Sequence, residues 1–203
     1  MIDRVVTSGT FSLDGGTWDV DNNVWLVGSA EEVVVIDAAH DAGAIAERIG
    51  GRSVTAIVCT HAHNDHVNAA VELAARVDAP ILLHPADQVL WEMVHPGAPY
   101  TPLHDGQVLT AGGVELTVLH TPGHAPGAVC LHAPDVGAVF TGDTLFQGGP
   151  GATGRSFSSF ETIIDSIRDR LLTLPERTVV HTGHGDSTTI GAEAPHLEEW
   201  LKR

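Results

Sequence analysis

Short apolar runs rich in valine and isoleucine recur along this chain, each cut off by Gly, Pro, Asn or Asp, which is the signature of strands. They predict strands over residues 24–27, 33–36, 54–59, 81–83, 114–119, 128–131, 138–140 and 178–181. Val114, Leu116 and Val118 alternate with polar or exposed positions, and Gly112-Gly113 just before them reads as a hairpin turn from Val108-Leu109. Between the runs, helices are predicted over 42–49, 68–77, 85–93, 159–172 and 191–201. In the fourth, Phe160, Ile163, Ile164, Ile167 and Leu171 share a face, and Ser158-Ser159-Phe160-Glu161 supplies a capping box. Strands and helices mixed in this order predict an α/β chain whose helices cover sheet faces. A length of 203 residues suits a single domain, taken as residues 1–203.

Charge narrows the partners. Asp and Glu number 26 against ten Lys and Arg, a formal charge of −16 that repels the phosphate backbone of a nucleic acid and an anionic membrane surface. No apolar run approaches the ~20 residues of a spanning helix. The opening Met1-Ile2-Asp3-Arg4 lacks the charged and apolar regions of a secretory signal, so a cytoplasmic protein is expected. Cys59 and Cys130 each sit in an apolar strand-like segment and read as buried, reduced thiols. Oligomeric state is left open.

Thirteen histidines are many for this length, and several are grouped. Thr60-His61-Ala62-His63-Asn64-Asp65-His66 follows a predicted strand and runs into a predicted helix. Alternate positions of an extended loop point the same way, so His61 and His63 can grip one ion while Asp65 and His66, at the turn into the helix, grip a neighbour. Further ligands stand after other strands: His124 in Thr121-Pro122-Gly123-His124, Asp143 in Phe140-Thr141-Gly142-Asp143, and His184 in Thr182-Gly183-His184-Gly185. Loops at strand ends commonly carry such converging groups.

These ordered motifs, together with Val33-Val34-Val35-Ile36-Asp37, resemble the metallo-β-lactamase superfamily and, within it, the glyoxalase II-like hydrolases. The resemblance implies a four-layer αββα sandwich with the site on one edge of its two sheets. It further implies that His61, His63 and His124 hold a first metal, that Asp65, His66 and His184 hold a second, and that Asp143 bridges them. Two divalent ions, zinc with iron or manganese as alternatives, are the expected cofactors.

A water shared by two such ions is acidified towards neutral pH and becomes the nucleophile, with Asp65 placed to orient it. A thiolate, of ordinary pKa about 8.5, leaves without a dedicated acid. The expected activity is therefore a thioesterase for acyl conjugates of a small thiol. Residues 148–155 look like a loop of small hydrolases that use mycothiol, so mycothiol thioesters are one expected class. Arg155, after the glycine-rich loop, is a candidate for an anionic substrate group, and Tyr100, Trp25 and Trp91 are candidates to line the pocket. His120 and His181, near ligands, are candidates to support them. A lactonase or other small-ester hydrolase fits the same residues. So does a persulfide dioxygenase with one iron on His61, His124 and Asp143.

Overall fold

The structure, a computed structural model, describes residues 1–202. Its chain opens with a long hairpin, β1 (Ile2–Leu13) and β2 (Gly16–Gly28), paired along its whole length from Ile2↔Val27 to Leu13↔Gly16. Asp14 and Gly15 turn it with φ of 52° and 77°, the two left-handed residues that a tight hairpin demands and that Asp-Gly supplies. The apolar runs reveal only residues 24–27 of this hairpin. The remainder is a ribbon exposed over much of its length, whose polar positions carry no strand signal, and the Asp-Gly dipeptide is its one sequence cue.

β3 (Glu32–Ile36), β4 (Ser53–Val58), β5 (Ile81–Leu83) and β6 (Thr101–Pro102) extend this sheet in the order β1-β2-β3-β4-β5-β6, and β3 to β6 run parallel. A second six-stranded sheet uses β7 (Val108–Ala111), β8 (Val114–His120), β9 (Val129–Ala133), β10 (Ala138–Gly142), β13 (Val179–Thr182) and β14 (Thr188–Thr189), in the order β14-β13-β10-β9-β8-β7. Between β10 and β13 lies a small ribbon, β11 (Leu145–Phe146) with β12 (Gly149–Pro150). The expected hairpin at Gly112-Gly113 is present, antiparallel, with both glycines at positive φ.

Alternation along the strands separates three cores and so defines four layers. Trp25, Val27, Val34 and Ile36 pack with Leu116, Val118, Leu131 and Phe140 between the sheets. The opposite faces of the first sheet, through Val24, Leu26, Val33 and Val35, pack on α1 (Ala42–Ile49), α3 (Ala70–Val77) and α4 (Gln88–Val94). Cys130 and Val139, on the outside of the second sheet, meet α5 (Phe160–Ser166), the π-helical turn Ile167–Leu171 that continues it, and Trp200. This is the αββα order. No helix among the described residues is long and apolar enough to cross a membrane.

Three helices differ from the pattern reading. The helix expected over 68–77 begins earlier, as α2 (Asn64–Val67), and breaks at Asn68-Ala69 before α3, so Asp65 and His66 lie on a short helix of their own. The cap of α5 is Ser159, which accepts from the Thr162 amide; Thr162, not Glu161, occupies the third helical position, and the reciprocal carboxylate of a capping box is not formed. The last expected helix divides into α6 (Ile190–Glu193), a 3₁₀ turn and α7 (Leu197–Trp200), because Pro195 lacks the amide that a continuous helix needs.

Candidate metal centre

Ligand-bearing segments leave the sheets at strand ends on one edge. β4 runs into Thr60-His61, β8 into the turn holding His124, β10 into Asp143, and β13 into His184. Where strands run parallel, this carboxyl end is where loops gather round a ligand. Hydrogen bonds stitch the two sheets there: the Asn23 amide donates to Gly183 O at 2.7 Å, and Trp25 Nε1 donates to Thr182 O at 3.0 Å. Trp25 is therefore a strut of the edge and not a lining residue.

All seven expected side chains come together. His61, His63 and His124 form one group of donor atoms, Asp65, His66 and His184 a second, and Asp143 joins His61 and His66 in a third, every group within 4.8 Å. His63 Nδ1 lies 3.0 Å from His124 Nε2, and His66 Nε2 lies 3.2 Å from His184 Nε2. Asp143 faces both groups, with Oδ1 3.2 Å from His66 Nε2 and Oδ2 3.4 Å from His184 Nε2 and 3.6 Å from His124 Nε2.

Backbone and side-chain oxygens fix which ring nitrogen each imidazole presents. His124 Nδ1 donates to Ala152 O and His184 Nδ1 to Asp21 O, both at 2.7 Å, and His66 Nδ1 donates to Asp37 Oδ2 at 2.9 Å. Thr60 Oγ1 gives its proton to Asp37, at 2.7 Å, and is left to accept from His61 Nδ1 at 3.1 Å. Four rings thus turn Nε2 into a common space. His61 Nε2, Asp65 Oδ1 and Asp143 Oδ1 are buried there without a hydrogen-bond partner, a cost of about 1–3 kcal/mol for each such atom that a cation would remove.

Electrostatics divide the rings. Burial holds His61 well below the ordinary imidazole range, and burial with the neighbouring His124 holds His63 at about 3, so these are neutral lone-pair donors. Burial opposes a charge on His66 and His184 too. The Asp143 carboxylate, reinforced by Asp65, outweighs it, lifting His66 well above its usual range and His184 to about 10. Positive charge belongs between those carboxylates, and the donor set fits a divalent cation.

Residues 17–184 match the sequence profile of the Metallo-beta-lactamase superfamily. The chain belongs to that superfamily. This places it in a metallo-hydrolase superfamily. The probable metallo-hydrolase YqgX of Bacillus subtilis is 35% identical over 86% of this chain and 90% of its own. Hydroxyacylglutathione hydrolase GloC of Haemophilus influenzae is 32% identical over 87% and 86%. The crystal structure of TTHA1623 in a di-iron-bound form superposes with a TM-score of 0.79 at 36% identity, covering 86% of this chain and 93% of that one.

Around this superfamily centre stand residues that the sequence did not single out. Asp37, 2% exposed, accepts from Thr60 N as well as from Thr60 Oγ1 and His66. Asp87, 0% exposed, accepts from Ala62 N at 2.9 Å and from Gly127 N, so it ties the His61–His63 segment to the turn after His124. Burial pushes its carboxyl up to about 6 against those two amides. A charged residue closing the apolar run Val33–Ile36 is the signal for Asp37; Asp87, two residues after Pro85, falls in the first turn of the helix predicted over 85–93, where an acid is ordinary. Gly183 is a glycine for a steric reason, since a Cβ there would lie 2.4 Å from Asp143 Oδ1 and 2.7 Å from His66 Cε1.

A cleft of about 450 Å³ opens on the centre, walled by Phe11, Trp18, His63, His124, Arg155 and Ser158 among others. Arg155 lies in it, its guanidinium 3.8 Å from the Trp18 ring centre, and among the described residues no carboxylate is within ion-pair distance of it. Tyr100 is elsewhere: it borders a separate groove with Val71 and Pro80, and its hydroxyl donates to Gln88. Trp91 is core, bonded to Ala98 O. Neither His120, bonded to Pro126 O, nor His181, bonded to Ser187 and packed on Phe140, touches a ligand side chain.

Proposed function

We propose that the chain is a dinuclear, glyoxalase II-like thioesterase that cleaves acyl conjugates of a small thiol, mycothiol conjugates being one class to test. The reading is carried by the convergence of two full donor sets with Asp143 facing both. His61, His63 and His124 would hold one ion and Asp65, His66 and His184 the other, with Asp143 beside both sets. Zinc is the metal we assign, since sets of three imidazole and carboxylate donors that leave a position for water suit it. The relative named as a hydroxyacylglutathione hydrolase supports the substrate class.

When bound, the ions supply an acidified water and a Lewis acid for a carbonyl oxygen. The rest is the work of side chains. Asp65, a buried carboxylate on the wall of the cleft, would orient the attacking water. Phe11 and Trp18, stacked with ring centres 5.7 Å apart, keep bulk water from one side of the cleft. Arg155 offers an uncommitted guanidinium to an anionic group on the thiol carrier. A departing thiolate needs no donated proton, whereas an amide nitrogen does. Buried free thiols at Cys59 and Cys130 go with a cytoplasmic setting.

Elemental analysis of the purified protein, paired with a panel of acyl-thiol esters, lactones, a β-lactam and a thiol persulfide, tests this. Two zinc per chain and thioester turnover well above the other esters are expected. One iron per chain with oxygen consumed on the persulfide would overturn it, and a preference for lactones would move the activity to that class.

A further inference from the structure

Asp65 is gripped from outside the centre by a chain of hydrogen bonds in which every donor and acceptor is forced. At its outer end the His40 backbone N–H, which can only donate, gives to Asn68 Oδ1 at 2.6 Å. That fixes the Asn68 amide, so its Nδ2 meets His40 Nδ1 at 2.9 Å, and Nδ1 must be the acceptor. His40 is then protonated on Nε2, which donates to Asn22 Oδ1 at 2.9 Å. Asn22 is fully buried, and its Nδ2 donates to Asp65 Oδ2 at 3.2 Å. A carboxylate accepts only, so the inner end dictates the same polarity as the outer one.

Three separate segments supply this chain: Asn22 on β2, His40 in the turn after β3, and Asn68 at the break between α2 and α3. His40 sits at φ 59°, a left-handed backbone that a histidine adopts at some cost, and the ring is roofed by β1, where a Cβ on Gly9 would lie 2.1 Å from His40 Nδ1. At the break between α2 and α3 Asn68 is still helical, its N–H on Asn64 O, and the Ala69 amide leaves the ladder to donate to Ala38 O at 3.1 Å, two residues before His40.

We propose that His40 and Asn22 are positioning residues for Asp65, holding its carboxylate so that Oδ2 stays among His66 and His184. Oδ2 lies 3.5 Å from His66 Nε2 and 3.3 Å from His184 Nε2. Without the Asn22 N–H the carboxylate is free to rotate about its last bond, and the second donor set loses its only acidic member of its own. The trihistidine set has no contact with the chain and keeps its geometry. This rests on the two-ion reading above.

The test is zinc affinity of the full chain, each equivalent measured by chelator competition, with melting temperature and circular dichroism as folding controls. His40→Phe keeps the ring shape and removes the N–H; it is expected to weaken the second zinc about tenfold and leave the first within about twofold. His40→Gln restores an N–H towards Asn22 and is expected to recover most of that loss. Asn22→Ala is expected to cost the second zinc about 10–100-fold, and adding His40→Phe to it to cost little more, because the two act in series. If Asn22→Ala does not fold, the two His40 variants decide alone. Binding in which Phe serves better than Gln, or in which both zincs weaken alike, overturns the proposal. Wild-type protein that takes up two zincs, with neither His40 variant changing either, sinks this inference only; wild-type protein that takes up one sinks the two-ion reading and this inference with it.

Discussion

The two halves of the metal centre are built on different physics. The trihistidine half is three neutral imidazoles packed edge to face, His61 on His63 and on His124, with ring centres 4.8 and 4.9 Å apart, and no carboxylate of its own. Asp87 holds two backbone amides of the loops that carry it, and only neutral oxygens, Thr60 Oγ1 and Ala152 O, turn its rings. The mixed half sets Asp65 and Asp143 against His66 and His184, so charge balance draws a cation in, and its rings and carboxylate are steered by Asp37 and Asn22 acting on the side chains themselves. One half is shaped by loop geometry and the other by electrostatics. They share Asp143.

Because it is shared, Asp143 is where the comparison breaks most completely. Asp143→Ala removes the one carboxylate facing both halves and is expected to lower kcat at least about a thousandfold and to cost one metal equivalent, checked by steady-state kinetics and elemental analysis of the same sample. Full activity in that variant would show that the halves do not act as one site.

The buried acids behind each half give a sharper contrast. In Asp37→Asn the N–H2 must face either the Thr60 amide N–H or the side shared by Thr60 Oγ1 and His66 Nδ1, and the second ion should weaken about 10–100-fold, the first by less because His61 is reached only through Thr60. In Asp87→Asn the N–H2 faces a backbone amide of Ala62 or Gly127, and the loss should fall on the first ion, with about 1–3 kcal/mol of stability lost in urea titration because the acid bonds backbone. Losses falling on the same ion in both variants would remove the distinction. Gly183→Ala, whose Cβ meets Asp143 and His66, should resemble Asp37→Asn in kind and be weaker in size, because glycine and side chains can shift by tenths of an ångström.

How much of this was legible in the chain follows the same division. Side chains that must converge on an ion carry their chemistry in their residue type, so His61, His63, Asp65, His66, His124, Asp143 and His184 stand out at their spacings. Strands buried on both faces, such as β3 and β10, announce themselves as unbroken apolar runs. The N-terminal hairpin does not, since half of it lies outside the sandwich, and yet it brings Phe11, Trp18, Asn22 and the Asp21 carbonyl to the site. Asp37 shows only as a charge closing an apolar run, His40, Asn22 and Asp87 act through partners far along the chain, and an aromatic residue such as Tyr100 reads alike whether it borders the metal cleft or, as here, a separate groove. Contacts between distant segments leave no local pattern.

The smallest effect concerns the cleft, where the asymmetry continues. Phe11 packs on His63, with ring centres 5.2 Å apart, and carries Trp18 and Arg155 on its other side, so the trihistidine half faces an aromatic, cationic wall. The loop that holds Arg155 is fastened at both ends of its reach: Ala152 O accepts from His124, and the Ser156 amide donates to Asp14 Oδ2 at 2.9 Å in the hairpin turn. A loop held in this way needs little backbone ordering when an anion arrives. Arg155→Gln should therefore raise KM for a thioester whose carrier bears a carboxylate about tenfold, a loss near 1.4 kcal/mol, while kcat and metal content stay within about twofold. With a neutral carrier the same variant should differ little from wild type. An equal rise in KM for both carriers would assign Arg155 to bracing Trp18 and leave the anionic end of the substrate to another residue.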